Sequence, residues 1–130
     1  MIVVDSSLLV NAFGGAGPLA ASARAALFSE EPAAPFHVDI ETLSAWRRQV
    51  RTGSIPLAWI EEARNDLRDA PILRIPHEPL LDRIWELREN VTPADGAYVA
   101  MAEELGVRLV TCDARLTRAP GTRCEFELIE

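Results

Sequence analysis

Residues 2–10, IVVDSSLLV, open with a short unbroken apolar run that stops at Asp5 and continues through two serines into a second apolar stretch. A run of that length with a polar stop reads as a buried strand, and the stretch after it as a helix with a serine, Ser6 foremost, near its cap. An acid that ends a central strand is hard to place innocently, because an unpaired buried charge is costly or takes up a proton. The same strand-to-helix grammar recurs along the chain. Gly14, Gly15, Gly17 and Pro18 end the first helix, an Ala-rich helix follows over 19–28, and EEPAAP breaks it before an extended piece at 36–38. Residues 40–51 favour helix and stop at Thr52 and Gly53, while Leu57, Ile60, Ala63 or Arg64, and Leu67 repeat at amphipathic spacing.

In the second half, 72–75 reads as a strand closed by Pro76, and Leu80, Leu81, Ile84 and Trp85 form the apolar stripe of a helix. Thr92 caps the next helix, with Pro93 in its first turn and Asp95 three residues after the cap; Tyr98, Met101, Ala102 and Leu105 line its buried side, and Gly106 ends it. A strand over 107–111, a short helix over 114–118 and an alternating strand suited to a sheet edge over 125–129 complete the chain. Strands alternating with helices predict an α/β fold: a three-layer α/β/α sandwich around a mainly parallel, twisted sheet, one domain spanning 1–130. Right-handed crossovers then bring the strand carboxyl ends to one edge, where open α/β sheets bind ligands, and Asp5 and Asp113 fall on that edge.

Composition narrows the function classes. No apolar run reaches the ~20 residues of a membrane span, and the first residues read as strand instead of signal peptide, which implies a cytoplasmic protein with Cys112 and Cys124 reduced. Two cysteines twelve apart and two distant histidines match no zinc-finger spacing. His37 and His77 read as solvated or turn residues, and Trp46, Trp59 and Trp85 as core positions or surface for a partner. Thirteen arginines and no lysine against twenty acids leave a net charge of −7, so the molecule as a whole repels phosphate. That excludes a passive nucleic-acid coat. It leaves room for an enzyme whose bound cations reverse the local sign, with Arg47, Arg48 and Arg51, and Arg115 and Arg118, as local positive groups.

Four carboxylates carry the chemistry: Asp5, Glu41, Asp95 and Asp113. Each has a structural reading, as helix cap for Asp5 and Asp113, capping-box partner for Asp95 and solvated acid for Glu41. Gathered, they suit a hard divalent cation, Mg²⁺ or Mn²⁺, which prefers oxygen ligands and needs one or two carboxylates each. Such ions position phosphate oxygens, activate water and stabilise a leaving oxygen. Asp39 faces away from Glu41 and reads as a cap or surface acid, whereas Arg48 shares a face with Glu41 and is a candidate phosphate clamp; Asn11 and Arg115 are weaker candidates for substrate contact.

The segments around the acids resemble those of the PIN-domain ribonucleases, and within them the VapC toxins of bacterial toxin–antitoxin pairs. IVVDSSLLV is similar to the family's first motif, VDIETLSAWRR to its second, and NVTPADGAYVAMAEELGVRLVTCDARLTRAPG to the third and fourth run together. The resemblance implies that Asp5, Glu41, Asp95 and Asp113 are the metal-site acids, with Thr111 a hydroxyl near them. It implies a Mg²⁺-dependent endoribonuclease acting on RNA, with Mn²⁺ as substitute, a homodimer, and a VapB-type antitoxin as partner. One departure concerns the third motif, usually Tyr-Asp-Ala and in this chain Ala94-Asp95-Gly96, where glycine weakens the first helical turn by ~1 kcal/mol. Two other readings stand beside the nuclease: a non-catalytic PIN-fold binding module, and a Mg²⁺-dependent phosphatase or phosphorelay receiver, which would have to replace the lysine such proteins place near phosphate.

Overall fold

Five short parallel strands form the sheet, in the order β3-β2-β1-β4-β5. The computed structural model describes residues 1–130. The strands are β1 (Ile2–Val4), β2 (Pro32–Pro35), β3 (Leu73–Ile75), β4 (Leu109–Thr111) and β5 (Phe126–Leu128). Between them run α1 (Ser6–Gly14), α2 (Gly17–Leu27), α3 (Val38–Arg51), α4 (Leu57–Asp69), a 3-10 turn (Glu78–Leu80), α5 (Leu81–Glu86), α6 (Pro93–Leu105) and α7 (Ala114–Thr117). β1, β2 and β4 are buried on both faces, which is why β1 and β4 read as continuous apolar runs and not as alternating ones. β5 lies at the edge, as its alternation predicts.

The strand order reverses at β1. From β1 the chain steps outward to β2 and β3, then returns across the sheet to β4 on the other side of β1. Right-handed crossovers in opposite directions put their helices on opposite faces. Accordingly α1 packs with α2, α3 and α4, while α6 lies along β1, β2 and β4 with α5 against it. Ile2, Val3, Val4, Leu8, Leu9, Leu109 and Val110 meet in the core with no exposed surface. The crevice between the carboxyl ends of β1 and β4 is the switch point, the usual ligand position in such sheets.

Three expectations need correction. β2 is Pro32–Pro35, within the segment read as a breaker, and not 36–38. Prolines suit the strand only because they sit at its two ends: Ile2 N–H donates to Glu31 O and Phe36 N–H to Ile75 O, so residues flanking the prolines carry those bonds. Of the tryptophans only Trp46 is core. Its Nε1–H donates to Val10 O at 3.3 Å, and the ring lies so close to Gly14 that a Cβ there would stand 2.3 Å from Nε1. Trp59 and Trp85 are half or more exposed, and Leu105 also faces solvent.

Candidate functional site

Asp5 follows β1 directly and is only 3% exposed. Register explains its surroundings: Val4 pairs with Val110, so the next residues, Asp5 and Thr111, end neighbouring strands side by side. Thr111 Oγ1 donates to Asp5 Oδ2 at 2.5 Å, while Oδ1 accepts from Ser7 Oγ at 2.7 Å and from Leu8 N–H at 3.1 Å. Asp5 is thus the cap of α1, the place expected for Ser6, which is instead the first helical residue. Three bonds fill three of the roughly four acceptor positions of a carboxylate. No arginine or histidine pairs with it, and burial pushes its pKa up to about 6 despite the donors, with the Asp95 charge adding to the rise.

Glu41 stands in the first turn of α3, where its Oε1 accepts from Tyr98 Oη at 2.6 Å and lies 3.5 Å from His37 Nε2. Burial, then the Glu41 carboxylate, drives the Tyr98 phenol far above its ordinary range, so it stays a donor. Asp95 sits in the first turn of α6, half-buried, with its N–H on Thr92 Oγ1 at 3.2 Å. Burial raises its pKa, and the charges of Glu41 and Asp113 raise it further. Asp113 caps α7, accepting from Arg115 N–H at 2.9 Å and donating its own N–H to Thr111 Oγ1 at 2.9 Å.

Asp95 and Asp113 line an open cleft of about 400 Å³ together with Asn90, Thr92, Arg115 and Arg118. Arg48 is exposed on α3 two turns beyond Glu41 and pairs with no acid. Asn11 Nδ2 donates to Ser7 O at 2.9 Å. Asp39 forms a two-bond pair with Arg74 of β3, at 2.7 and 2.8 Å, which ties α3 to the sheet.

The PIN domain matches residues 2–121. The chain belongs to that family. Ribonuclease VapC1 of Mycobacterium tuberculosis is 41% identical, over 98% of this chain and 96% of its own, which puts the chain with the VapC branch. Among solved structures, PAE2754 of Pyrobaculum aerophilum superposes with TM-score 0.70 at 23% identity, covering 96% of this chain and 81% of that one. A chain of a toxin–antitoxin complex from Klebsiella pneumoniae does so with TM-score 0.66 at 17% identity, over 90% of each. At those identities the superpositions speak to fold alone.

Three residues of this PIN domain escaped the sequence reading. Ser7 connects both strand ends, donating to Asp5 and accepting from Cys112 N–H at 2.9 Å. Tyr98 carried a usable signal, since a buried tyrosine hydroxyl needs a partner. His37 also carried one, its i,i+4 spacing from Glu41 at the start of α3. The donor set of the PIN domain is all oxygen, and its most buried member lacks a cationic partner, a combination that fits a hard divalent cation. As the side chains lie, no three of the acids stand within reach of one point. Like charges spread apart, and Asp5 and Glu41 are turned toward hydroxyl donors.

Proposed function

We propose that the protein is a metal-dependent endoribonuclease, the toxin of a VapBC-type pair, with Mg²⁺ or Mn²⁺ held by Asp5, Glu41, Asp95 and Asp113. The observation that carries this reading is Asp5: a carboxylate sealed at the sheet's switch point, raised to about 6, with no counter-charge beside it. A bound divalent cation would remove that penalty and supply phosphate neutralisation and a more acidic water. The chain's own groups do the rest. Thr111 and Ser7 hold the Asp5 carboxylate in one orientation, Tyr98 holds Glu41, and the Asp113 cap sets the direction of its second oxygen. Arg115 and Arg118, along the cleft that Asp95 and Asp113 line, are suited to RNA phosphates.

The relatives' names support the reaction and the partner, since VapC1 is a ribonuclease and a structural neighbour comes from a toxin–antitoxin complex. Exposed Trp59 and Trp85 offer apolar area for a homodimer or an antitoxin segment. No helix is long and apolar enough to cross a membrane. RNA cleavage with mapped ends, with and without Mg²⁺, tests the proposal: equal rates for the parent, Asp5→Asn and Asp113→Asn would sink it. The spread of the acids favours a second reading, a non-catalytic binding module of the same fold. Calorimetric titration with Mn²⁺ separates the two, because the module binds none.

A further inference from the structure

His37 stands where the chain turns from β2 into α3, and two neighbouring rings hold it in place. Tyr98 of α6 lies against it with centroids 4.7 Å apart and planes tilted by 31°, and His77, which follows β3 as His37 follows β2, meets it edge-on at 6.0 Å. Held so, the ring directs Nε2 at two oxygens, Ala94 O at 2.9 Å and Glu41 Oε1 at 3.5 Å. Both are acceptors, so Nε2 carries the hydrogen, donates to Ala94 O and turns its positive end toward the carboxylate. The opposite nitrogen, Nδ1, is buried without a partner. Buried polar atoms left unbonded are uncommon and ask for a reason, because an apolar side chain would fill the same space without that cost. The Nε2 side supplies one.

Ala94 immediately precedes Asp95 in the first turn of α6, and Glu41 stands in the first turn of α3, so one N–H group joins the turns that carry two of the four acids. The first turn of α6 gains from such an outside tie, since Gly96 gives its backbone a freedom that alanine would not. The two acids also repel: the Glu41 charge adds to the rise that burial gives the Asp95 pKa. At Glu41 the contacts converge on one oxygen, since Tyr98 Oη donates to the same Oε1 at 2.6 Å, and no group of the protein bonds Oε2. The carboxylate is thereby oriented, with Oε2 left for a ligand.

We infer that His37 is a positioning residue of the acidic site, whose Nε2–H fixes the Asp95 and Glu41 turns against each other and leaves Glu41 Oε2 presented to a divalent cation. The inference rests on the nuclease reading above and adds to it a residue that acts through its neighbours. Its test compares the full chain with His37→Gln, His37→Asn and His37→Leu. Glutamine carries an amide N–H at the reach of Nε2, asparagine only at that of Nδ1, and leucine none. Calorimetric titration should give Mn²⁺ dissociation constants about 10–100-fold weaker for His37→Asn and His37→Leu, the scale for groups that orient ligands from behind, with His37→Gln within about threefold of the parent. Thermal melting of the metal-free proteins should not follow that order, because His37→Leu also sheds the unbonded Nδ1. Weakening that all three variants share, or that tracks a loss of melting temperature, overturns the inference in favour of a structural ring. If His37→Asn and His37→Leu fail to fold, nitrogen-15 NMR of the parent decides. A hydrogen on Nε2 whose resonance moves on adding Mg²⁺ supports the inference, and a hydrogen on Nδ1, or a resonance that Mg²⁺ leaves in place, overturns it. A parent that binds Mn²⁺ and cleaves RNA, with all variants equal to it, overturns this inference alone; a parent that does neither takes the nuclease reading with it.

Discussion

The two halves of the acidic edge are built differently. At the β1–β4 crevice, Asp5 is buried and held by three donors, and Thr111 behind it is itself fully buried and bonded. Across the edge, Asp95 and Asp113 sit in an open cleft, where Asp95 is raised partly by its acidic neighbours and faces the freely exposed Arg115. One half is a rigid socket formed by strand register; the other is a pair of like charges on the first turns of helices. Under the proposed function the two halves would divide the labour: the socket would fix one ligand in place, and a bound cation would relieve the repulsion among the acids of the cleft.

The largest break comes from the socket. Asp5→Asn should lower Mg²⁺-dependent RNA cleavage by about 10²–10³-fold, the scale for removing one charge-stabilising group. The same variant should melt higher than the parent without metal at pH 7, because the buried charge is gone; a lower melting point would show that Asp5 stabilises the fold as a cap. The pH profile probes the same charge. Asp5 has a folded pKa of about 6 against an ordinary 3.8, so the folded protein binds the extra proton. Stability of the metal-free protein therefore falls as pH rises from 4 through 6 and levels above that, by about 3 kcal/mol from Asp5. Asp95 shifts the same way. Urea denaturation at pH 5 and 7.5 should show the loss, and saturating Mn²⁺ should shrink it.

Thr111→Val removes both the donor to Asp5 and the acceptor of the Asp113 N–H, coupling the two halves. Mn²⁺ affinity by calorimetry should fall by about 10–100-fold, as for other residues that orient ligands from behind. The smallest effect belongs to the open half. A Cβ on Gly96 would meet Ile84 and Val91 at 3.5–3.7 Å, ordinary contact, so Gly96→Ala should stabilise α6 by up to about 1 kcal/mol in chemical denaturation. If it also raises Mn²⁺ affinity, looseness at Asp95 limits binding; if not, the socket alone sets it.

Much of the fold was legible. Buried parallel strands are short apolar runs between helices, and β1, β3, β4 and β5 were readable as such, because burial on both faces or edge alternation leaves its mark on residue type. β2 was not, because its PAAP composition imitates a loop and is permitted only by neighbours that carry its end bonds. Asp5, Glu41, Asp95 and Asp113 could be singled out from the segments that carry them. The bonds of Ser7 to Thr111 and Cys112 and of His37 to Ala94 O could not be read, since those partners lie far along the chain.

What the chain settles alone is local: where strands stop, which acids follow them and which residues cap the helices, because these depend on neighbours within a few positions. Tertiary structure decided which of those ends meet. Parallel register set Asp5 beside Thr111 and His37 beside His77, and the α6 crossover carried Tyr98 to Glu41. Those pairings join residues tens of positions apart, so no local signal encodes them.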